Sequence, residues 1–446
     1  MKKVLCIAYH YPPILVSSGL QRTLKFSQYL LDHAWQSVVL TVHPRAYVKV
    51  DEGQLPEIPK EVVVHRVSAW DASKHFAIKG RYFYCMALPD RWASWCIPAV
   101  IKGLRVIFKD RPSLIYSTYP IATAHLIALM LHRMTKLPWV ADFRDPMIQN
   151  TVNSFPTDAL KRKIFQWLEK ETITHCQRAV VTTYGALKEY RERYPQFQLK
   201  FELIANGFDE GNFINAQQLE QIPTYLQEKK PGKLVLLHSG VIYLSERNPT
   251  EFFQALAELK QQGKIHAESL TIVLRAADNE ALFSTMLKRY DIDDIVLLMP
   301  SIGYEEALAE MLSVDGLLVL QGMECNNQIP AKLYEYLRAG KPIFALTDMN
   351  GDTAGVLVDA GVRDIVSLND KAAIVTALPD FLQKVTEQRA FVPDKNYISR
   401  HSRQNKSALL ARVFDDVLEE TTQKSKQEHY APKATETKGV IFNQWK

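Results

Sequence analysis

The sequence predicts an α/β protein of two similar halves, each a mostly parallel, doubly wound sheet. Three observations carry this. A chain of 446 residues is long enough to bury two separate cores. Short β-branched runs alternate with helix-length amphipathic segments in both halves, the rhythm of right-handed strand–helix–strand crossovers. Between the halves, composition shifts to Gln, Glu, Lys and Pro over residues 218–232, which reads as a linker. The domains follow: 1–217 first, 233–395 second, and a C-terminal helix over 396–418 expected to return to the first domain. A disordered tail is expected over 419–446, which opens on a Thr, Gln, Lys, Ser and Glu run.

In the first half the strand candidates are Val4–Ala8, Val38–Val42, Val62–Val67, Leu114–Thr118, Trp139–Asp142 and Ala179–Thr183. Between the first two lies a helix over Gln21–His33, with a start near Ser18-Gly19. Parallel sheets bind ligands beyond the carboxyl ends of their strands, so the residues just after each strand matter most. Those are His10, Ser18, Gly19 and Arg22 after the first strand, Ser117 to Pro120 after the fourth, and Asp142 to Pro146 after the fifth. The first loop is not GxGxxG, which leaves a dinucleotide reading without support. A single histidine such as His10 at a strand end is more often structural than catalytic. Asn206-Gly207-Phe208-Asp209 closes the half as a turn.

The second half offers Leu234–Leu237, Leu270–Leu274, Ile295–Leu298, Gly316–Leu320, Ile343–Leu346 and Ile365–Val366. The first leads into His238-Ser239-Gly240 and then Arg247-Asn248-Pro249. A strand, a glycine turn and an arginine near a helix start are the parts of a phosphate cradle. The stretch Asn326–Pro342 predicts a short helix opening from a polar loop at Pro330 and stopping at Gly340, with Pro342 beyond it. Leu333 and Leu337 form its apolar face, and Lys332 and Glu335 a charged edge. The free N–H groups of such a helix start can hold an anion.

Composition excludes several classes. Five cysteines are scattered without a CxxC pair or metal-ligand spacing, which fits a reducing compartment and predicts no structural zinc. The apolar run after Met1-Lys2-Lys3 is too short for a signal peptide, and no apolar run reaches membrane-spanning length. Charge is uneven: residues 1–217 carry 28 basic and 18 acidic side chains, the remainder 26 and 31. The positive half is suited to an anionic partner, although solvated faces explain it equally well. No nucleic-acid recognition motif accompanies the charge. Residues 68–110 mix aromatic and basic types, among them Trp70, Lys79, Arg81, Tyr82, Phe83, Tyr84, Trp92 and Trp95, and Lys161–Leu168 is basic and amphipathic. Both suit a lipid interface, and a packed insertion is the alternative for the first.

The strand-end residues together resemble one group, the retaining glycosyltransferases of GT-B architecture, family four, over Met1 to about Leu418. The matching pieces, in order, are Tyr11-Pro12-Pro13 with Gly19 and Arg22, Trp139 to Asp145, Asn206 to Asp209, Gly240 with Arg247-Asn248-Pro249, and the stretch around Glu335. The resemblance implies two Rossmann-like domains facing a cleft, a nucleotide-sugar donor on the second, and a glycan or lipid-linked acceptor on the first. It implies Glu335 on the ribose hydroxyls and Arg247 on the diphosphate. Gly240, Asn327, Gln328, Pro330 and Lys332 would complete the donor site. Ser18, Gly19 and Arg22 would form the acceptor and phosphate loop, with Asp145 near the transferred sugar. No metal and no cofactor beyond the co-substrate are expected. The setting would be cell-surface polysaccharide synthesis in the cytoplasm, with peripheral contact to an anionic membrane. The sequence departs from the family at Asn327, where a second glutamate is usual, and at Val241, where an arginine often follows the glycine. Those departures keep open a non-catalytic GT-B binding or assembly protein, and the shared GT-B fold keeps open a nucleotide-sugar epimerase.

Overall fold

The computed structural model of the chain describes residues 1–15, 18–75, 87–148, 158–219 and 223–430. Its first sheet contains β1 (Lys2–Ile7), β2 (Trp35–Val42), β3 (Val63–Val67), β4 (Leu114–Thr118), β5 (Trp139–Phe143), β6 (Arg178–Val181) and β7 (Phe201–Leu203). All are parallel, in the order β3-β2-β1-β4-β5-β6-β7. The second contains β8 (Leu234–Ser239), β9 (Leu270–Arg275), β10 (Val296–Met299), β11 (Gly316–Leu320), β12 (Ile343–Leu346) and β13 (Ile365–Val366). These are again parallel, in the order β10-β9-β8-β11-β12-β13. Strand order reverses between β1 and β4 and between β8 and β11. Each sheet therefore opens a crevice at the carboxyl end of its first strand.

This is the GT-B arrangement of two Rossmann-like sheets, and its strands are those the alternation of the sequence indicates. The exception is β7, three residues with Glu202 in the middle, too short and too polar to stand out. Side chains alternate between layers as strand geometry requires: Leu5 and Ile7 face one core, and Val4 and Cys6 the other. Helices Cys96–Asp110, Ala122–Thr135 and Ala159–His175 cover the first face, and Ser18–Tyr29 the second.

The second face is completed from the far end of the chain. A helix over Arg403–Tyr430 lays Leu410, Phe414 and Val417 into the first domain's core, with the Phe414 ring 5.2 Å from Trp35 and 5.7 Å from Tyr116. It follows a separate short helix, Lys395–Ser399. The tail expected from residue 419 is instead helical through Tyr430. Glu420 pairs with Arg178 of β6, and a polar segment readily extends a helix already nucleated by packing. Residues 431–446 lie outside the described residues, as do Lys79, Arg81, Tyr82, Phe83 and Tyr84. The helix Glu210–Gln217, placed by sequence in the first half, buries Phe213 and Ala216 in the core of the second.

The chain thus crosses between the halves twice, and the crossings lie side by side. Phe208 N–H donates to His401 O at 3.1 Å, and Arg403 N–H to Phe208 O at 2.7 Å. A Cβ on Gly207 would lie 2.1 Å from His401 O, so only glycine permits this approach. Asp209 caps the Glu210–Gln217 helix through Asn212 N–H at 3.1 Å and accepts the Tyr29 hydroxyl at 2.8 Å.

Arg22 is where the structure corrects the sequence reading. It is not free for a ligand: it lies buried in a bidentate pair with Asp142, Nε–Oδ2 3.0 Å and Nη2–Oδ1 2.9 Å. Its remaining N–H groups reach Ile204 O, Ala205 O and Asn206 Oδ1, while Asp142 also accepts from Tyr116 and Thr118. Burial alone would raise the Asp142 carboxyl, but the Arg22 guanidinium and these hydrogen bonds outweigh it and hold it below its ordinary range. Asp142→Ala strands a guanidinium in the core and should cost about 3–5 kcal/mol in urea unfolding. Because the folded carboxyl is depressed, the pair's contribution is complete above the unfolded value near 3.8 and declines as pH falls through the folded one. Acid titration of wild type against the variant checks this, the gap between them closing at low pH.

Candidate functional site

The site is built from strand ends. After β8 the chain turns at Gly240, whose φ of +114° disfavours any residue with a side chain. Gly240 N–H is held by Arg275 O at 2.8 Å, and Ser239 N–H by the Tyr336 hydroxyl at 2.8 Å. Lys332 reaches into this turn, its Nζ 2.9 Å from where a Cβ on Gly240 would sit. Arg247 folds back on the same loop, donating from Nη1 to Val241 O at 3.0 Å, and its Nε is buried with no hydrogen-bond partner. Among the described residues no carboxylate forms an ion pair with Lys332. Burial, reinforced by Arg247, pushes the Lys332 ammonium well below its ordinary value. Arg247 Nη2 faces Glu246 Oε2 at 4.0 Å, so the positive character of the turn is only partly compensated, an arrangement suited to a polyanion.

Lys332 and Glu335 sit on the helix Lys332–Ala339, which Gly340 ends in the left-handed conformation (φ +66°), as the sequence indicates. The helix is anchored by Leu333, Tyr334, Tyr336 and Leu337. Glu335 is 7% exposed, and Oε1 accepts the Tyr304 hydroxyl at 2.7 Å and faces Arg403 Nη2 at 3.9 Å. Burial raises its carboxyl, and Arg403 and Tyr304 pull it back. Neither partner is foreshadowed locally: Tyr304 opens a different helix, and Arg403 belongs to the helix that returns to the first domain.

On the facing half, Ser18 and Gly19 open the helix Ser18–Tyr29. Arg144 lies directly over Gly19: a Cβ there would fall 1.8 Å from its Nη1 and 3.1 Å from His10 Nδ1. Arg144 donates to Asp145 Oδ2 from Nε (3.1 Å) and Nη2 (2.8 Å), while Nη1 is buried and unpartnered. Burial, aided by Arg144, holds the His10 imidazole down at about 3, so it is neutral at ordinary pH. The structure thus brings Gly19 and Asp145 together through Arg144, a residue whose position between two site candidates was the signal available in the sequence.

The loop before the helix Lys332–Ala339 is engaged with the first domain. Thr183 Oγ1 donates to Asn327 O at 2.8 Å, Gly185 N–H to Asp352 Oδ2 at 2.8 Å, and Asn327 Nδ2 to Glu189 Oε2 at 3.3 Å. Gln328 O accepts from Gln321 Nε2 at 2.9 Å and Thr353 Oγ1 at 3.2 Å, while Pro330 O accepts Leu333 N–H at 2.9 Å. Beside this clasp lies a cleft of ≈ 330 Å³, walled by Pro146, Lys188 and Glu192 on one side and Glu324, Asn326 and Gln328 on the other. Nothing in the sequence pairs residues 183–189 with 327 and 352. Their union depends on how the two halves face each other.

No family model matches the chain, and no curated protein matches it. Solved structures do. The chain is similar to Anabaena Alr3699/HepE in complex with UDP-glucose, at 12% identity and TM-score 0.64, covering 93% of this chain and 100% of that one. It is similar to WaaG, a glycosyltransferase involved in lipopolysaccharide biosynthesis, at 13% identity and TM-score 0.60, covering 92% and 99%. It is also similar to a putative UDP-N-acetylglucosamine 2-epimerase from Listeria monocytogenes, at 12% identity and TM-score 0.59, covering 94% and 98%. At such identities the likeness establishes the fold, and the residues must argue the chemistry.

The clasp makes a prediction of its own. A glutamate at 327 would set a carboxylate against Glu189 and Asp352, and a Cβ on Gly185 would lie 2.6 Å from both Asn327 Oδ1 and Asp352 Oδ2. Asn327→Glu and Gly185→Ala should each separate the domains. Small-angle scattering should then report a larger radius of gyration at unchanged helical circular dichroism.

Proposed function

We propose that this protein is a glycosyltransferase that moves a sugar from a nucleotide-sugar donor to a glycan or lipid-linked acceptor. The observation that carries the reading is the Gly240 turn, where Lys332 and Arg247 bring positive charge to a glycine-only backbone at the switch point of the second sheet. The donor diphosphate would sit there, with Glu335 toward the ribose, and Asn327, Gln328 and Pro330 bordering the sugar. Departure of the diphosphate develops negative charge, which Arg247, Lys332 and the nearby helix start would stabilise electrostatically. The incoming hydroxyl would attack from the leaving-group face, its proton passing to a phosphate oxygen, so the configuration is retained. This scheme uses no pair of acid and base carboxylates and no metal. Gly19 and Asp145, linked by Arg144, would border the acceptor. Glu335 must share its carboxylate among the ribose, Tyr304 and Arg403.

The likeness to HepE, which is known in complex with UDP-glucose, supports donor binding, and the likeness to WaaG, a glycosyltransferase of lipopolysaccharide biosynthesis, supports a place in surface-polysaccharide synthesis. A screen of nucleotide sugars by thermal stabilisation and transfer tests the reading. One donor should raise the melting temperature and be consumed. Arg247→Ala and Glu335→Gln should each lower kcat/KM by about 100-fold or more while the protein stays folded. Full activity in both variants would sink the assignment. Turnover of the donor to its epimer without an acceptor would favour an epimerase.

A lipid-linked acceptor draws support from the outer face of the first domain. Ile97, Ile101 and Phe108 project there from the helix Cys96–Asp110 and Trp167 from the helix Ala159–His175, on either side of Ala122–Thr135, with Arg105 and Lys163 among them, and Phe108 is 75% exposed. Among the described residues no helix is long and apolar enough to cross a membrane, so attachment would be peripheral, at the cytoplasmic surface. The protein should co-sediment with phosphatidylglycerol vesicles at low salt, and Ile101→Ser with Phe108→Ser should release it. Equal sedimentation of the variant would remove this face from the proposal.

A further inference from the structure

His238 is absent from the roles above, yet it is the residue that touches Lys332. It is the penultimate residue of β8, fully buried, with Nδ1 3.0 Å from Leu318 O on the adjacent strand β11. A carbonyl can only accept, so Nδ1 carries the proton and Nε2 presents a lone pair. That lone pair lies 3.1 Å from Lys332 Nζ, at the end of the side chain that reaches Gly240. The contact is an ammonium N–H donated to a neutral imidazole, and its geometry is set by strand pairing.

We infer that His238 is a positioning residue for anion binding at the Gly240 turn, fixing the Lys332 ammonium toward the diphosphate end of the donor. The inference rests on the transferase reading given above. An ammonium on a four-carbon stem has many rotamers, and a site that must meet a leaving group without rearranging gains from removing them. A carboxylate could do this, but it would cancel the charge the diphosphate needs. Imidazole in the Nδ1–H form offers an acceptor with no charge. Two of the three Lys332 N–H groups remain for the ligand.

The surroundings keep His238 in that form. Burial first, and then the Lys332 and Arg247 cations, push its pKa well below the ordinary value, while the Leu318 carbonyl and, less strongly, the Gly240 backbone pull the other way. A protonated ring would set two cations against each other at 3.1 Å. Tyr336 lies on the same helix as Lys332, one turn on, and its hydroxyl holds Ser239 N–H at 2.8 Å. His238 and Tyr336 therefore dock the end of β8 and the start of the donor helix as one unit.

The test measures binding of inorganic pyrophosphate, and of UDP and GDP, by calorimetry to the full-length protein. His238→Phe keeps the ring volume and removes the acceptor. It should weaken pyrophosphate by about tenfold or more, the scale of a lost charged hydrogen bond. His238→Gln, whose amide oxygen can replace Nε2, should recover most of that loss, which a role in packing alone would not predict. Lys332→Met should lose at least as much, and His238→Phe combined with Lys332→Met should be no weaker than Lys332→Met alone. In 15N spectra of histidine-labelled protein, His238 should show the Nδ1–H tautomer, with its Nε2 resonance shifted in Lys332→Met. A folded His238→Phe that binds pyrophosphate as wild type does, or additive losses in the double variant, would overturn the role of His238 while leaving the transferase reading intact. Failure of wild type to bind any of the three probes would overturn that reading, and this role with it.

Discussion

The buried Arg22–Asp142 pair is the constraint on which the first domain is arranged. A guanidinium and a carboxylate removed from water are tolerated only when nearly every donor and acceptor is used, and here they are. The partners come from the helix after β1, from β4, from β5 and from the segment leading into the first crossing. One ion pair thereby ties the switch point of the sheet to the joint between domains. Gly19 lies three residues before Arg22 and Arg144 two residues after Asp142, so the pair also fixes the segments that bring those two together.

Across the cleft the logic is reversed. Around Gly240 the charges are only partly compensated: Lys332 has a neutral partner, and Arg247 uses one N–H on a backbone carbonyl and faces Glu246 at 4.0 Å while its Nε has no partner. Such an arrangement is costly in an empty protein and favourable only when an anion arrives. At the first switch point the buried charge is spent on structure, as it is at Arg275–Glu310 in the second sheet, whereas the Lys332 charge beside Gly240 has no carboxylate partner among the described residues.

Much of the architecture could be read from the chain because parallel strands buried on both faces leave apolar β-branched runs, and glycine and proline punctuate the turns. Gly240 and Gly340 were visible for that reason. Other features depend on what a residue meets after folding, which pattern alone does not encode. Arg22 reads as part of the acceptor and phosphate loop because it lies one turn beyond a small-residue stretch, but a helical side chain's direction decides whether it meets ligand or core. Arg403 and Tyr304 converge on Glu335 from distant segments, and Thr183 and Asp352 meet residues 327 and 185 across the cleft. The tail beyond 418 read as disordered because its composition is polar all round, yet Glu420 finds Arg178 on a strand far away.

The paired crossings at Phe208 and Ser402 carry a mechanical meaning. The halves hang on two lengths of backbone hydrogen-bonded into a narrow ribbon, so any movement that widens the cleft must turn about that ribbon, as a door turns on its pins. The two crossings are not equivalent covalently. A protease that cut the second would leave both sheets on one chain, whereas a cut at the first would leave the first sheet held to the rest non-covalently, by packing against the helix Arg403–Tyr430, a nicked molecule that migrates as one particle until denatured.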